Sequence, residues 1–366
     1  MYNYLVNKLL NTYNRDGISG LIRKSFLRIK TIIIRKNIND KNNKIRWDRI
    51  KGKYQGEDVF VIGNGPSLNK TPLYLLKDKY TMCFNRFNLF SERINWHPDF
   101  YLTTDNLVLS DIIEELNTII PTTTYSFFPD VHFRGEKFIG RIPSYKNVYW
   151  IEQVLGKGFS NKLPKIYPGG TVICEAFQIL AHLGFTKIYL IGVDMNYQVH
   201  KSVKQTKDRS IDIISQENDD PNHFDPRYFG KNKKYHQPED FVITNIIKDL
   251  DYIAKVITNH NIEIINIGFE SKLDSFHREN FNEVLDFTSA QKETLFNECL
   301  KKNTTISTVK IYEKEHRLLK SSREWHSDLT DFYTKIDTGL KIINKAIFTH
   351  IPVGPFNNKY YFVKRN

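Results

Sequence analysis

Cysteine is scarce: the chain of 366 residues has three, Cys83, Cys174 and Cys299, far apart and without a C-x-x-C pair. That excludes a disulfide framework and a cysteine zinc cluster, and it fits a chain kept in a reducing cytoplasm. Long apolar runs are also missing. No stretch approaches the roughly 18 uninterrupted apolar residues of a membrane span, and the N-terminus has no signal-peptide core, so the expected location is inside the cell. Acidic residues are in deficit, 41 against 53 Lys and Arg, giving a formal net charge of +12. The deficit is local. Residues 1–54 carry 14 Lys or Arg against Asp16, Asp40 and Asp48, and the rest of the chain is nearly neutral. Without a basic patch or a nucleic-acid module in that remainder, nucleic acid is not an expected partner.

The basic segment is patterned. Leu21, Ile22, Phe26, Leu27, Ile29, Ile32, Ile33 and Ile34 interleave with Arg23, Lys24, Arg28, Lys30, Arg35 and Lys36. This predicts a basic amphipathic helix, either lying on an anionic membrane surface or packed on the main domain with its charged face in water. Trp47 and Ile50 are expected to dock the linker. Residues 1–56 therefore read as an appendage, 57–290 as the main domain with a lid at 198–240, and 291–366 as a C-terminal extension with helical tracts at Thr294–Leu300 and Leu340–Ile347.

The main domain is organised around D-V-F-V-I-G-N-G-P-S-L-N at Asp58–Asn69. Val59 to Ile62 is a short continuous apolar run, the pattern of a strand buried on both faces of a parallel sheet. It stops at Gly63 and Gly65, which leave no side chain between main chain and ligand, and such a loop can hold phosphate on its N–H groups. A plain strand-to-loop connection fits the same residues, since G-x-G alone is a weak signal. Thr71-Pro72 predicts a helix start. Strands are expected at Thr81–Phe84, Asp99–Thr103, within Thr118–Phe127, at Lys187–Ile191 and at Glu263–Ile267. Helices are expected from Thr171 to Leu183, closed by Gly184, and from Phe241 to Ile257. Asn85 ends a strand, where an amide can read a base or ribose or form an Asx turn. His132 lies among aromatics and reads as a packed core residue. This alternation predicts an α/β, Rossmann-like fold, a mostly parallel sheet with helices on both faces and helical N- and C-terminal appendages, and it gathers ligands at the carboxyl ends of the strands. From His200 to Glu239 periodicity dissolves for about 40 residues, and the histidines and aromatics there favour a lid.

Several of these stretches together resemble the bacterial CMP-sialic-acid-dependent sialyltransferases that decorate lipooligosaccharide: G-N-G-P-S-L at Gly63–Leu68, C-F-N-R-F at Cys83–Phe87, F-P-D-V-H at Phe128–His132, the G-V-D strand end at Asp194 and His236 before the long helix. The first motif and the G-V-D strand also resemble a wider group related to 6-hydroxymethylpterin diphosphokinases. The resemblance implies an inverting, metal-independent transfer from a CMP-sugar donor to a glycan or glycolipid acceptor, with no cofactor and no metal. It implies nucleotide contacts from Gly63, Asn64, Gly65, Ser67 and Asn85, and from Gly169, Gly170 and Thr171 before the central helix. The lid histidine of the family matches His236, which would take the acceptor proton, with His223 in N-H-F-D-P as the rival base. Two family tyrosines that bond the leaving phosphate are matched only by Asn196 with Tyr197 beside it, and by Ser202 or Lys204. Sialic acid, 3-deoxy-D-manno-octulosonate or a related acid sugar all suit the pattern.

A cytoplasmic enzyme held peripherally at the inner face of the membrane by its basic segment follows from this reading, and a homo-oligomer is left open. The alternatives are a diphosphokinase-like transferase, which would need Mg²⁺ on carboxylates such as Asp105 and Asp194, and a Rossmann scaffold that binds without turnover. Asp194 has the simpler expected role of bracing its strand end.

Overall fold

The computed structural model describes residues 2–38, 41–93, 95–154, 156–198, 202–205, 212–236 and 240–299, and backbone strands at 306–312, 317–320, 350–356 and 359–364. Helices α1 (Tyr2–Ile38) and α2 (Lys41–Ile50) come first, with α1 broken at Gly17, whose φ of 64° is left-handed. Then follow β1 (Asp58–Ile62), β2 (Thr81–Phe84), β3 (Phe100–Leu102), α3 (Asn106–Asp111), α4 (Leu116–Ile119), β4 (Tyr125–Pro129), β5 (Val148–Gln153), β6 (Lys165–Ile166), α5 (Val172–Leu183) and β7 (Lys187–Ile191). Three short strands, β8 (Val203–Gln205), β9 (Asp212–Ser215) and β10 (Lys234–His236), precede α6 (Asp240–Ile257), β11 (Glu263–Asn266), β12 (His277–Arg278), α7 (Phe281–Val284) and α8 (Ser289–Cys299).

Nine strands form one sheet in the order β12-β11-β7-β1-β2-β3-β4-β5-β6, and every neighbouring pair is parallel. The chain enters at β1, winds outward to β6, then returns to lay β7 on the other side of β1. The order in which strands are laid down therefore reverses between β1 and β7, where a crevice opens outside the strand ends. Strand period sorts the core. Val59 and Val61 face one layer with α2, α5 and α6, whereas Phe60 and Ile62 face the other with α7 and α8. Tyr101, Phe128 and Trp150 extend the second layer over α3 and α4. Helix α5 is apolar nearly all round, as a helix buried against the sheet must be, and ends at Gly184 with φ 98° and its amide turned back to Leu180 and Ala181.

Several elements depart from the sequence reading. The helix expected after Thr71 is a pair of 3₁₀ turns at Pro66–Lys70 and Leu73–Leu76, because Pro66 and Pro72 each restart the backbone. The strand expected within Thr118–Phe127 begins only at Tyr125, after α4. Strand β5 is an addition. The lid contains the three-stranded antiparallel sheet β10-β9-β8. The C-terminal extension starts with α8 as expected and then supplies β13 (Ile306–Tyr312), β14 (Arg317–Lys320), β15 (His350–Phe356) and β16 (Lys359–Lys364), an antiparallel sheet ordered β14-β13-β16-β15. The helical tract expected at Leu340–Ile347 lies outside the described residues.

Candidate functional site

The loops after β1 and β7 are zipped together. Gly63 N–H donates to Ile191 O (2.8 Å) and Gly65 N–H to Gly192 O (2.8 Å). A Cβ on Gly63 would stand 2.4 Å from Gly192 O, and one on Gly65 2.4 Å from the Asp194 carboxylate. These glycines are thus required first by the loop-to-loop contact. Asp194 accepts from Ser67 N (2.8 Å) and Ser67 Oγ (2.5 Å), bracing the turn at the start of the first 3₁₀ segment. Burial pushes its pKa up, while the Ser67 hydrogen bonds pull the other way.

A cleft opens above this junction. Its walls are Gly63–Pro66 after β1, Phe84 and Asn85 at the end of β2, Gly192–Tyr197 after β7, Thr171–Ile173 at the start of α5, and Asn222, His223 and Tyr228 from the lid. The first turn of α5 lines the cleft, and a helix N-terminus carries unpaired backbone N–H groups and a positive dipole end, a setting for an anion. Asn85 (φ 52°) and Met195 (φ 51°) both line it in the left-handed region, which costs a methionine more than an asparagine. Asn64 donates to Phe84 O (3.2 Å) and Tyr228 Oη (3.3 Å), yet its Oδ1 is buried without a partner. A buried acceptor left open in a cleft calls for a donor on a ligand or a water.

The lid is fastened to this floor. Phe224 N–H donates to Asn64 O (2.9 Å). Arg93, fully buried, donates to Asn69 Oδ1 (2.6 Å) and Phe224 O (3.1 Å) and faces Asp225 at 3.6 Å. Asp225 also accepts from Arg227 at 2.8 Å. Burial works to raise the Asp225 pKa, but the Arg227 hydrogen bonds and the Arg93 and Arg227 charges outweigh it and hold it below the ordinary carboxylate value.

On that anchored segment His223 stacks on the Tyr228 ring (centroids 3.7 Å apart, planes within 3°) and its Nδ1 lies 2.8 Å from Asp220 Oδ2. Asp220 is buried and held by the N–H groups of Asn222 (2.8 Å) and Phe229 (3.0 Å). A carboxylate only accepts, so in the neutral ring His223 Nδ1 carries the proton and Nε2 the lone pair. Ring orientation and tautomer are both fixed, as a general base requires.

Residues 34–200 match the model of the family described as 6-hydroxymethylpterin diphosphokinase MptE-like. Among solved structures, the chain is similar to the MAf glycosyltransferase from Magnetospirillum magneticum AMB-1, at 14% identity and a TM-score of 0.37, covering 70% of this chain and 42% of that one. It is also similar to the sialyltransferase CstII from Campylobacter jejuni, solved with cytidine-5'-monophosphate, at 13% identity and a TM-score of 0.35, covering 75% of this chain and 99% of that one. The chain thus spans about two fifths of the length of the first of these proteins. No curated protein matches the sequence.

Residues 34–200 supply most of the cleft, and the lid beyond them supplies His223. Of the residues singled out from sequence, Gly63, Asn64, Gly65, Asn85, Thr171, Tyr197 and His223 come together. Ser67 sits behind the wall with its hydroxyl engaged by Asp194. Gly169 and Gly170 are not lining residues. A Cβ there would meet Cys174 Sγ at 2.5 Å and Ile246 Cγ1 at 2.7 Å, so they let α5 and α6 approach. His236 also lies outside the cleft, its Nε2 accepting from Arg134 Nη1 at 2.8 Å, because a guanidinium can only donate. His132 is buried, and burial, with the Arg134 charge adding, pushes its pKa well down, as suits a packed core histidine. Sequence reasoning missed Asp220, Asn222 and Met195. The signal for Asp220 was a carboxylate three residues before His223 in D-D-P-N-H.

Proposed function

We propose that the chain is an inverting, metal-independent glycosyltransferase that moves a CMP-activated acid sugar onto a glycan or glycolipid at the inner face of the cytoplasmic membrane. The observation that carries this reading is the His223–Asp220 pair poised over a polar cleft at the point where the strand order reverses. In the proposed step, His223 Nε2 takes the proton of the acceptor hydroxyl as its oxygen attacks the anomeric carbon. The bond from that carbon to the CMP phosphate oxygen breaks with inversion, and CMP leaves with the electron pair. Asp220 stabilises the imidazolium that forms. The α5 terminus at Thr171 faces the charge gathered on the departing phosphate, and Asn64 and Asn85 offer amides to the nucleotide. The three free, buried cysteines fit a reducing compartment.

The family match favours a second reading, a Mg²⁺-dependent diphosphate transfer from ATP. Its candidate carboxylates have other engagements here: Asp105 caps α3 by accepting from Leu107 and Val108 N–H, and Asp194 bonds Ser67.

Nucleotide-dependent thermal shift separates the two readings. Stabilisation by CMP in EDTA is expected, and stabilisation by ATP only with Mg²⁺ would replace the first reading with the second. His223→Ala should keep the CMP shift and lower turnover by about 10²- to 10⁴-fold. Undiminished turnover in that variant would remove the base from the mechanism.

A further inference from the structure

Helix α1 is held to the domain by its polar side. Arg35 donates to the Asp130 carboxylate (3.0 Å), Val131 O (2.8 Å) and Gln153 O (2.7 Å). Thr31 and Gly20 are buried, and Leu27 and Lys30 run against Gly135, where a Cβ would stand 3.3 Å from Lys30 Cδ. The other side is apolar and faces out. Ile18, Ile22, Phe26, Ile29 and Ile33 are each 55–66% exposed, and their spacing of four, four, three and four places them in one stripe roughly 22 Å long. A surface helix ordinarily turns this stripe to the core. Here the arrangement is reversed.

We propose that this stripe docks the protein on an anionic lipid surface, with α1 lying in the interface. The charge of the segment selects that occupant. Residues 1–54 carry 14 Lys or Arg and three acidic residues, and Arg23 and Lys30 are exposed beside the stripe. A second copy of the chain would bring the same positive excess to the contact, whereas acidic headgroups supply the opposite charge and the acyl boundary takes the isoleucines. Among the described residues no helix is long and apolar enough to cross a membrane, so the helix lies on the surface. The attachment points add a direction. Asp130 and Val131 follow β4 directly and Gln153 ends β5, so α1 is tied to the carboxyl edge of the sheet, the edge that carries the cleft. Docking brings that edge to the bilayer whatever reaction the cleft performs.

Flotation of the full chain with vesicles tests this. Binding is expected to equimolar phosphatidylcholine and phosphatidylglycerol, about tenfold weaker binding to phosphatidylcholine alone, and at least a tenfold loss in Ile22→Ser/Phe26→Ser/Ile29→Ser. Those side chains are exposed, so the variant should keep its thermal midpoint. Arg23→Glu should weaken binding to the anionic vesicles and leave the neutral ones unchanged. Wild-type flotation of the triple variant, or equal binding to both lipid compositions, would overturn the proposal. So would a native dimer in sedimentation velocity that the triple variant lacks, if the native chain ignores vesicles.

Discussion

Glu175 sits in the first turn of α5, fully buried, with Gln153 Nε2 donating to Oε1 (2.7 Å) and Thr104 Oγ1 hydrogen-bonded to Oε2. Burial pushes its pKa up to about 7, against partial opposition from the Thr104 and Gln153 hydrogen bonds. Because the folded value lies above the unfolded one, the stabilisation linked to this group is complete below the unfolded carboxylate pKa. It is lost as pH rises through about 7, on the order of 3 kcal/mol in all. Glu175→Gln keeps an acceptor for Gln153 and replaces the acceptor for Thr104 by an amide N–H that the Thr104 hydroxyl oxygen can accept, but it cannot ionise. Its thermal midpoint should gain on the native protein between about pH 5 and about pH 8, and parallel pH curves for the two proteins would reject the assignment. At this scale the sequence was informative about residue type and less so about partner. His223 and His236 share one polar stretch, and only the fold shows that Asp220 orients the first while Arg134 engages the second. Gly63 and Gly65 were legible as close-approach positions, but the group that approaches is the loop after β7.

Elements with strong periodicity were legible: β1, β2, β7, α5 and α6 fall close to where apolar pattern and glycine stops place them. Strand β5, V-Y-W-I-E-Q, was missed although its residues favour strands and the glycines Gly156 and Gly158 follow it. The lid was legible as irregular but not as attached, since its anchors, Asn64, Asn69 and Arg93, lie far away in sequence. Arg93 lies under the Phe224 ring, with Cζ 4.9 Å from its centroid, and ties Asn69, Phe224 O and Asp225 together. Arg93→Leu removes those bonds and, of the buried Asp225 carboxylate's ion pairs with Arg93 and Arg227, takes away the first, so a loss of about 3 kcal/mol is expected. Local opening should follow, seen as faster amide exchange at Phe224, Tyr228 and Gly230. Native exchange rates there in the variant would show that the lid does not depend on this clamp.

For the whole molecule, the placement of β7 beside β1 does two things: it creates the cleft, and it brings α5 to the position where the N-terminal segment can wrap it. Gly52 N–H donates to His182 O (2.9 Å) and Tyr54 N–H to Leu183 O (2.8 Å), while the Tyr54 ring stacks on Phe185. Trp47 is fully buried, stacked on Phe127 with centroids 5.4 Å apart, and its indole N–H donates to Trp150 O (2.9 Å). Helix α2 is therefore a layer of the core rather than a linker, although its basic composition matches that of α1. Trp47→Ala should cost about 3–5 kcal/mol through the cavity and the lost hydrogen bond. Deleting residues 1–56 should abolish cooperative unfolding, whereas deleting residues 1–16, ahead of the Gly17 break, should leave the midpoint in place. Thermal melts followed by near-ultraviolet circular dichroism distinguish these cases. A 57–366 fragment that melts cooperatively at the native midpoint would mean that the sheet closes without α2, and that the whole basic segment serves only the surface.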